Sequence, residues 1–147
     1  MKAKSEETKT IGVRLSSVGL LGVSFPVRSE PMPHGVKYYF DMHIEQTIQF
    51  DQDKITVVFG TKIYNTEDSG ELFGGITTAC EFHAEKGELD KFKESRALPD
   101  NITVMLYSLT ISTSRGIMAS EFRGTYLNEA ILPIIDPSGF LASRKSK

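Results

Sequence analysis

The sequence has no tryptophan, a single cysteine and no apolar run of the length a membrane-spanning helix needs. One cysteine, Cys80, excludes an intramolecular disulfide and agrees with a reducing compartment. No leader with a charged start and an apolar stretch stands at the N-terminus, so the sequence predicts a cytoplasmic protein without membrane insertion. Excess positive charge is lacking too. The two ends are basic, but residues 10–141 hold 11 cations against 17 anions, which argues against nucleic acid, whose binding depends on neutralised phosphates. The division expected is a flexible tail over 1–9, one domain over 10–141 and a flexible basic tail over 142–147. A chain of 147 residues suffices for one core.

Reactive constellations are equally scarce. Cys80 and His83 stand three apart, but on a strand they point to opposite faces, and no second pair completes a zinc site. His34, His43 and His83 each offer an imidazole, yet no Ser, Cys or Thr stands in a recognisable nucleophile context. Gly22 and the pair Gly74-Gly75 are followed by no Lys-Ser or Lys-Thr, so they are strand bends and not phosphate loops. Asp41 and Glu45 share a strand face as a catalytic pair would, but carboxylates are ordinary on a solvated sheet face. The expectation is a protein that is not an enzyme, with no cofactor and no metal.

What is present is alternation. Val36, Tyr38, Phe40, Met42, Ile44, Ile48 and Phe50 fall on one side of the run 36–51; Lys37, Asp41, His43, Glu45, Gln49 and Asp51 fall on the other. Gln46 is the polar intruder on the apolar side. A period of two over this length predicts a strand of roughly 50 Å. Asp51-Gln52-Asp53 supplies a turn into a second run with Ile55, Val57, Phe59 and Ile63 on one face, and a polar turn over 65–70 leads to a third with Leu72, Ile76, Cys80 and Phe82. Ahead of this meander, Ile11, Val13, Leu15, Leu20, Leu21, Val23 and Phe25 predict a first strand, bent or bulged near Gly12, Gly19 or Gly22. Pro26, Pro31 and Pro33 then impose a loop.

Beyond residue 85 the segment 86–96 is charge-dense, with room for one helical turn around Leu89 and Phe92. Asp100 or Asn101 is the expected N-cap of a helix carrying Ile102, Met105, Leu106 and Leu109 and ending near Met118. Gly124 breaks the pattern, the prolines of 132–137 hold the chain extended, and 138–141 begins a short last helix. Four strands facing one convincing helix leave apolar surface over. That surface must meet a second copy, the segment 132–141 or a partner.

The order of elements from Ile11 to Leu141 resembles the SecB export chaperones and their SecB-like relatives. The more specific residues are Cys80-Glu81 in the fourth strand, Ser114-Arg115-Gly116, then Gly124-Thr125-Tyr126 and Leu132-Pro133-Ile134-Ile135-Asp136. About eight residues inserted between Gly116 and Gly124 make the chain look like a SecB-like relative more than an orthodox SecB. The resemblance implies an α+β fold, a four-stranded antiparallel sheet with a long and a short helix on one face, in a homotetramer built as a dimer of dimers. It implies an ATP-independent holdase for export that binds unfolded precursor polypeptides in apolar grooves. On this chain the groove falls at Phe25, Val27, Val36, Tyr38, Phe40, Tyr126, Leu127, Ile134 and Phe140. Glu81 matches a position that contacts the translocase ATPase in orthodox SecB, but Gly22-Val23-Ser24-Phe25-Pro26 and the basic C-terminus depart from the acidic pattern expected for that partner. A chaperone dedicated to one client, such as the antitoxin of a toxin-antitoxin system, is one alternative. An oligomeric binding or assembly module without chaperone activity is another.

Overall fold

A computed structural model describes residues 11–32, 35–65 and 70–145. Four strands, β1 (Val13–Ser24), β2 (Tyr39–Gln49), β3 (Lys54–Tyr64) and β4 (Leu72–Ala84), form one antiparallel sheet in the order β1-β4-β3-β2. Two helices follow, α1 (Asp100–Phe122) and α2 (Ser138–Lys145), so the fold is the α+β arrangement expected. The crossover that carries the chain from one sheet edge to the other is the proline-rich stretch.

The local outcomes follow from the residues. β2 is shorter than its pattern because β3 offers eleven partners, from Lys54 opposite Gln49 to Tyr64 opposite Tyr39. Alternating burial nonetheless runs from Val36 to Phe50 on both sides of the paired segment. The turn is a 3-10 turn over Phe50–Gln52, closed by Asp53 in the left-handed region at φ 52°, a conformation Asp tolerates better than most residues. β1 slips register between Leu15 and Ser17 and between Leu20 and Gly22. The second slip lies beside an expected glycine, whereas the first falls at Ser16, whose hydroxyl donates to the Glu81 carbonyl at 3.0 Å.

The helices correct two expectations. α1 has Pro99 as its N-cap, not Asp100 or Asn101: the Pro99 carbonyl accepts from the Ile102 and Thr103 amides at 3.1 and 3.0 Å, and Asp100 becomes the first helical residue, where a carboxylate favours the positive end of the helix. α1 also continues past Met118 to Phe122, a fully buried ring, and Gly124 at φ 77° ends the helical stretch. α2 runs to Lys145, into the stretch read from sequence as a basic tail; the expected N-terminal tail lies outside the described residues.

The core lies between α1 and the central strands. Ile55, Val57, Cys80, Phe82, Leu89, Leu98, Ile102 and Leu106 fill one end. Phe59, Ile63, Phe73, Ile76, Ile111, Met118, Phe122, Leu127 and Leu132 fill the other. Leu89 and Phe92 reach the core from the 3-10 turn Glu88–Phe92, the expected single turn in the charged segment.

Candidate polypeptide-binding surface

The two edge strands turn unfinished apolar surface toward the helix side of the sheet. On β2 and its extensions Val36, Tyr38, Phe40, Met42, Ile44, Gln46, Ile48 and Phe50 are all only half-buried, while the neighbouring Ile55, Val57, Phe59 and Ile63 of β3 are sealed. Beside β2 stand Arg96 and, from α1, Tyr107 toward one end and Tyr126 and Glu129 of the segment after α1 toward the other, while Ile135 and Phe140 pack on the same core clusters as the β2 row. Among the described residues, two open cavities border β2. One of about 540 Å³ is lined by Ile44, Gln46, Ile48, Phe50, Arg96 and Tyr107 at the far end of β2. Another of about 260 Å³ lies at its near end, among Met32, Val36, Tyr38, Tyr126 and Glu129.

The near end is organised around Tyr126. Its hydroxyl donates to the Phe73 carbonyl at 2.7 Å and lies 3.0 Å from that of Pro26. Its ring and that of Phe122 meet Phe25 edge-on, with centroids 6.0 and 5.6 Å away. The Arg28 guanidinium lies 4.9 Å from the Phe73 ring centre and 5.8 Å from that of Tyr126, and pairs with Glu71 at 2.7 Å. A cation held over ring faces gains from their quadrupoles. Burial pushes the Tyr126 phenol up, against the opposing pull of Arg28; burial, then the Glu129 carboxylate, pushes Tyr38 up. Both phenols are therefore neutral hydrogen-bonding groups at neutral pH. Farther on, Arg115 holds the extended segment, its Nε and terminal nitrogen donating to the Leu132 and Pro133 carbonyls at 3.0 and 2.8 Å.

The sequence-expected groove residues divide accordingly. Phe25, Val36, Tyr38 and Tyr126 converge at the near end, Phe40 continues along the β2 face, and Phe140 stands edge-on to Tyr107 at 6.4 Å near the other end. Val27 and Ile134 are free, 101% and 96% exposed. Leu127 is not surface at all: it has no exposed area and its side chain fills the notch left by Gly74, where a Cβ would stand 2.7 Å from Leu127 Cδ1. A core side chain of this kind has no surface to offer a ligand. Sequence reasoning missed Arg28, whose partners are distant in the chain, and named Arg115 within a motif without its role of holding the extended segment. It also missed the helix-side face of β1, where Leu15, Val18, Leu20 and Val23 remain exposed, together with Met105 and Leu109 of α1.

The opposite sheet face is mixed in charge. Glu81 lies there, but it is paired with Lys54 at 2.8 Å. Its neighbours in the cross-strand register are Ser17 and Thr56. Asp41 and Glu45 are exposed on that face as well. Cys80 is buried on the helix side, away from His83 on the other, and burial pushes its thiol pKa up, against the lowering hydrogen bonds of Thr110 and Thr113. His34 lies outside the described residues. Among the described residues no group of three His, Cys, Asp or Glu side chains is placed to hold a metal, and no helix is long and apolar enough to cross a membrane.

No family model and no curated protein matches the sequence. Among solved structures, the chain is similar to a SecB-like chaperone of Mycobacterium tuberculosis, Rv1957, in complex with a ChAD peptide from the HigA1 antitoxin. The two share 13% identity and superpose with a TM-score of 0.55, over 84% of this chain and 90% of the other. The likeness is one of fold: this chain has the SecB-like arrangement of sheet and helices.

Proposed function

We propose that this protein is an ATP-independent chaperone of SecB type that holds unfolded polypeptides against the helix-side face of β2. The observation that carries the reading is the half-buried apolar row from Val36 to Phe50, flanked by a cavity at either end. A row of this length accepts an extended segment of a client, alternate side chains entering the surface. It works as an oligomer in the cytosol, a dimer of dimers being the arrangement adopted. β1 supports self-association, since it is a sheet edge of twelve residues with exposed Leu15, Val18, Leu20, Leu21 and Val23, and open apolar edges of this length are otherwise aggregation sites.

Two client ranges follow. General protein export is one. A single dedicated client, such as an antitoxin, is favoured by a specific observation: Glu81, the candidate translocase contact, is already neutralised by Lys54 and no acidic partner stands opposite it. The similar mycobacterial chaperone, bound to an antitoxin peptide, supports the same variant.

The test is dilution of a chemically denatured model protein into stoichiometric amounts of this chain without nucleotide. Suppressed aggregation is expected, and Ile134→Ser together with Phe140→Ser should reduce it while the oligomer persists. Failure to suppress aggregation of several unrelated clients at several-fold excess would move the assignment to a dedicated chaperone or a single-partner assembly module, and capture of a folded partner would select the latter.

A further inference from the structure

The apolar row of β2 is interrupted once, at Gln46. This side chain stands between Ile44 and Ile48, opposite Val57, and lines the larger cavity with Glu45, Thr47, Arg96 and Tyr107. Its carboxamide oxygen is shielded from solvent and has no hydrogen-bond partner among the described residues. Such a group is costly to the fold, because a buried acceptor without a donor has given up water for nothing. Nothing in the described chain holds the oxygen where it lies, and the terminal amide torsion is broad, so the oxygen is free to turn toward the cavity.

We propose that Gln46 and Arg96 form a reader of bare peptide groups: the Gln46 oxygen accepts one backbone N–H of an extended client, and the Arg96 guanidinium donates to the adjoining carbonyl. This rests on the chaperone reading above and deepens it. The occupant is a peptide unit and not a particular side chain, since an acceptor and a multiple donor lining one cavity complement an amide. The surrounding Ile44, Ile48 and Phe50 take the apolar side chains on either side of that unit. The far edge of β2, which pairs only with β3 in the sheet, leaves room beside it for an extended chain. Folded proteins have their backbone amides already paired, so a device of this kind discriminates unfolded chains from folded ones without reading sequence.

The experiment uses the full-length protein and a fluorescent extended peptide of alternating leucine and serine with lysine ends, plus a series in which each amide in turn is replaced by an ester. One ester position should bind the unaltered protein about fivefold more weakly, the worth of a single neutral hydrogen bond. Gln46→Met keeps the volume and removes the oxygen. It should bind the parent peptide about as weakly as the unaltered protein binds that ester, show no further loss at that position, and melt no lower than the unaltered protein. Parent binding unchanged in Gln46→Met, or an ester penalty that persists there, overturns the proposal while leaving the chaperone reading in place. Absence of any peptide binding by the unaltered protein overturns both.

Discussion

β1 and β3 present the same kind of face to the same side of one sheet and meet opposite fates. Ile55, Val57, Phe59 and Ile63 of β3 are sealed, whereas Leu15, Val18, Leu20 and Val23 of β1, also on the helix side, stay open. The limit is width. A helix is about 10 Å across and strands are about 4.8 Å apart, so one helix roofs about two strands. α1 packs on β3 and β4, the inner pair, and its 23 residues make it ample in length. The edges lie beyond its full cover: β2 stays half-buried, bordered by Arg96, Tyr107 and Tyr126, and β1 keeps Leu15, Val18, Leu20 and Val23 exposed. Apolar patterning thus says which side of a strand avoids water, while the reach of the roof decides which strands succeed without help.

The largest test of this difference pairs one truncation on each strand. Phe59→Ala, in the sealed row, should cost about 3–5 kcal/mol in chemical denaturation. Leu20→Ala should cost the dilute single chain less than about 1 kcal/mol, as exposed substitutions do, and its effect should appear instead as weaker self-association in sedimentation. An equal loss from both variants in dilute protein would mean that β1 is covered within the chain after all.

The alternation of β2, the hairpin turn at Asp51 to Asp53, the three-stranded meander and the break at Gly124 were legible because each is set by neighbours in sequence. The candidate surface was legible in part for the same reason. Val36, Tyr38 and Phe40 declare themselves by period, and Gln46 by violating it. Leu127 was misread because its place depends on a notch at Gly74, more than fifty residues away, and a leucine in a linker carries no sign of which surface it will meet. Arg28 was missed likewise: its partners Phe73, Glu71 and Tyr126 are brought together only by the crossover. The open face of β1 follows from sheet order, with β1 beside β4 and beyond the helix, which periodicity does not encode.

A smaller effect separates the two ends of the β2 surface. Tyr126→Phe removes the hydroxyl that ties the fourth strand and the crossover to the segment after α1, and leaves the ring contacts to Phe25 and Arg28 in place. The loss should be about 1–1.5 kcal/mol, one hydrogen bond with its carbonyl acceptors left partly unsatisfied. Amide exchange should quicken in residues 25–32 and at Phe73 and remain as it was around Tyr107 at the other end. Uniform quickening along the whole surface would show that the two ends are one cooperative unit.

The smallest effect lies within the sealed half itself and bears on how completely it is sealed. Thr61 sits between Phe59 and Ile63 on the helix side of β3, with its hydroxyl buried and unpartnered among the described residues. On the next strand Thr78 is equally buried, but its hydroxyl meets that of Ser114 at 2.6 Å, and Ser114 also donates to the Thr110 carbonyl at 2.6 Å. Valine has nearly the shape of threonine, so each replacement isolates the hydroxyl. Thr61→Val should therefore raise stability by roughly 1 kcal/mol, the cost of a buried polar group without a partner, while Thr78→Val should lower it by about 0.5–1 kcal/mol as a satisfied bond is lost. Opposite signs in parallel denaturation curves are the expected result. If Thr61→Val also destabilises, its hydroxyl has a partner in the assembled protein, most simply a buried water, and the roofed half of the sheet is wetter than its apolar lining implies.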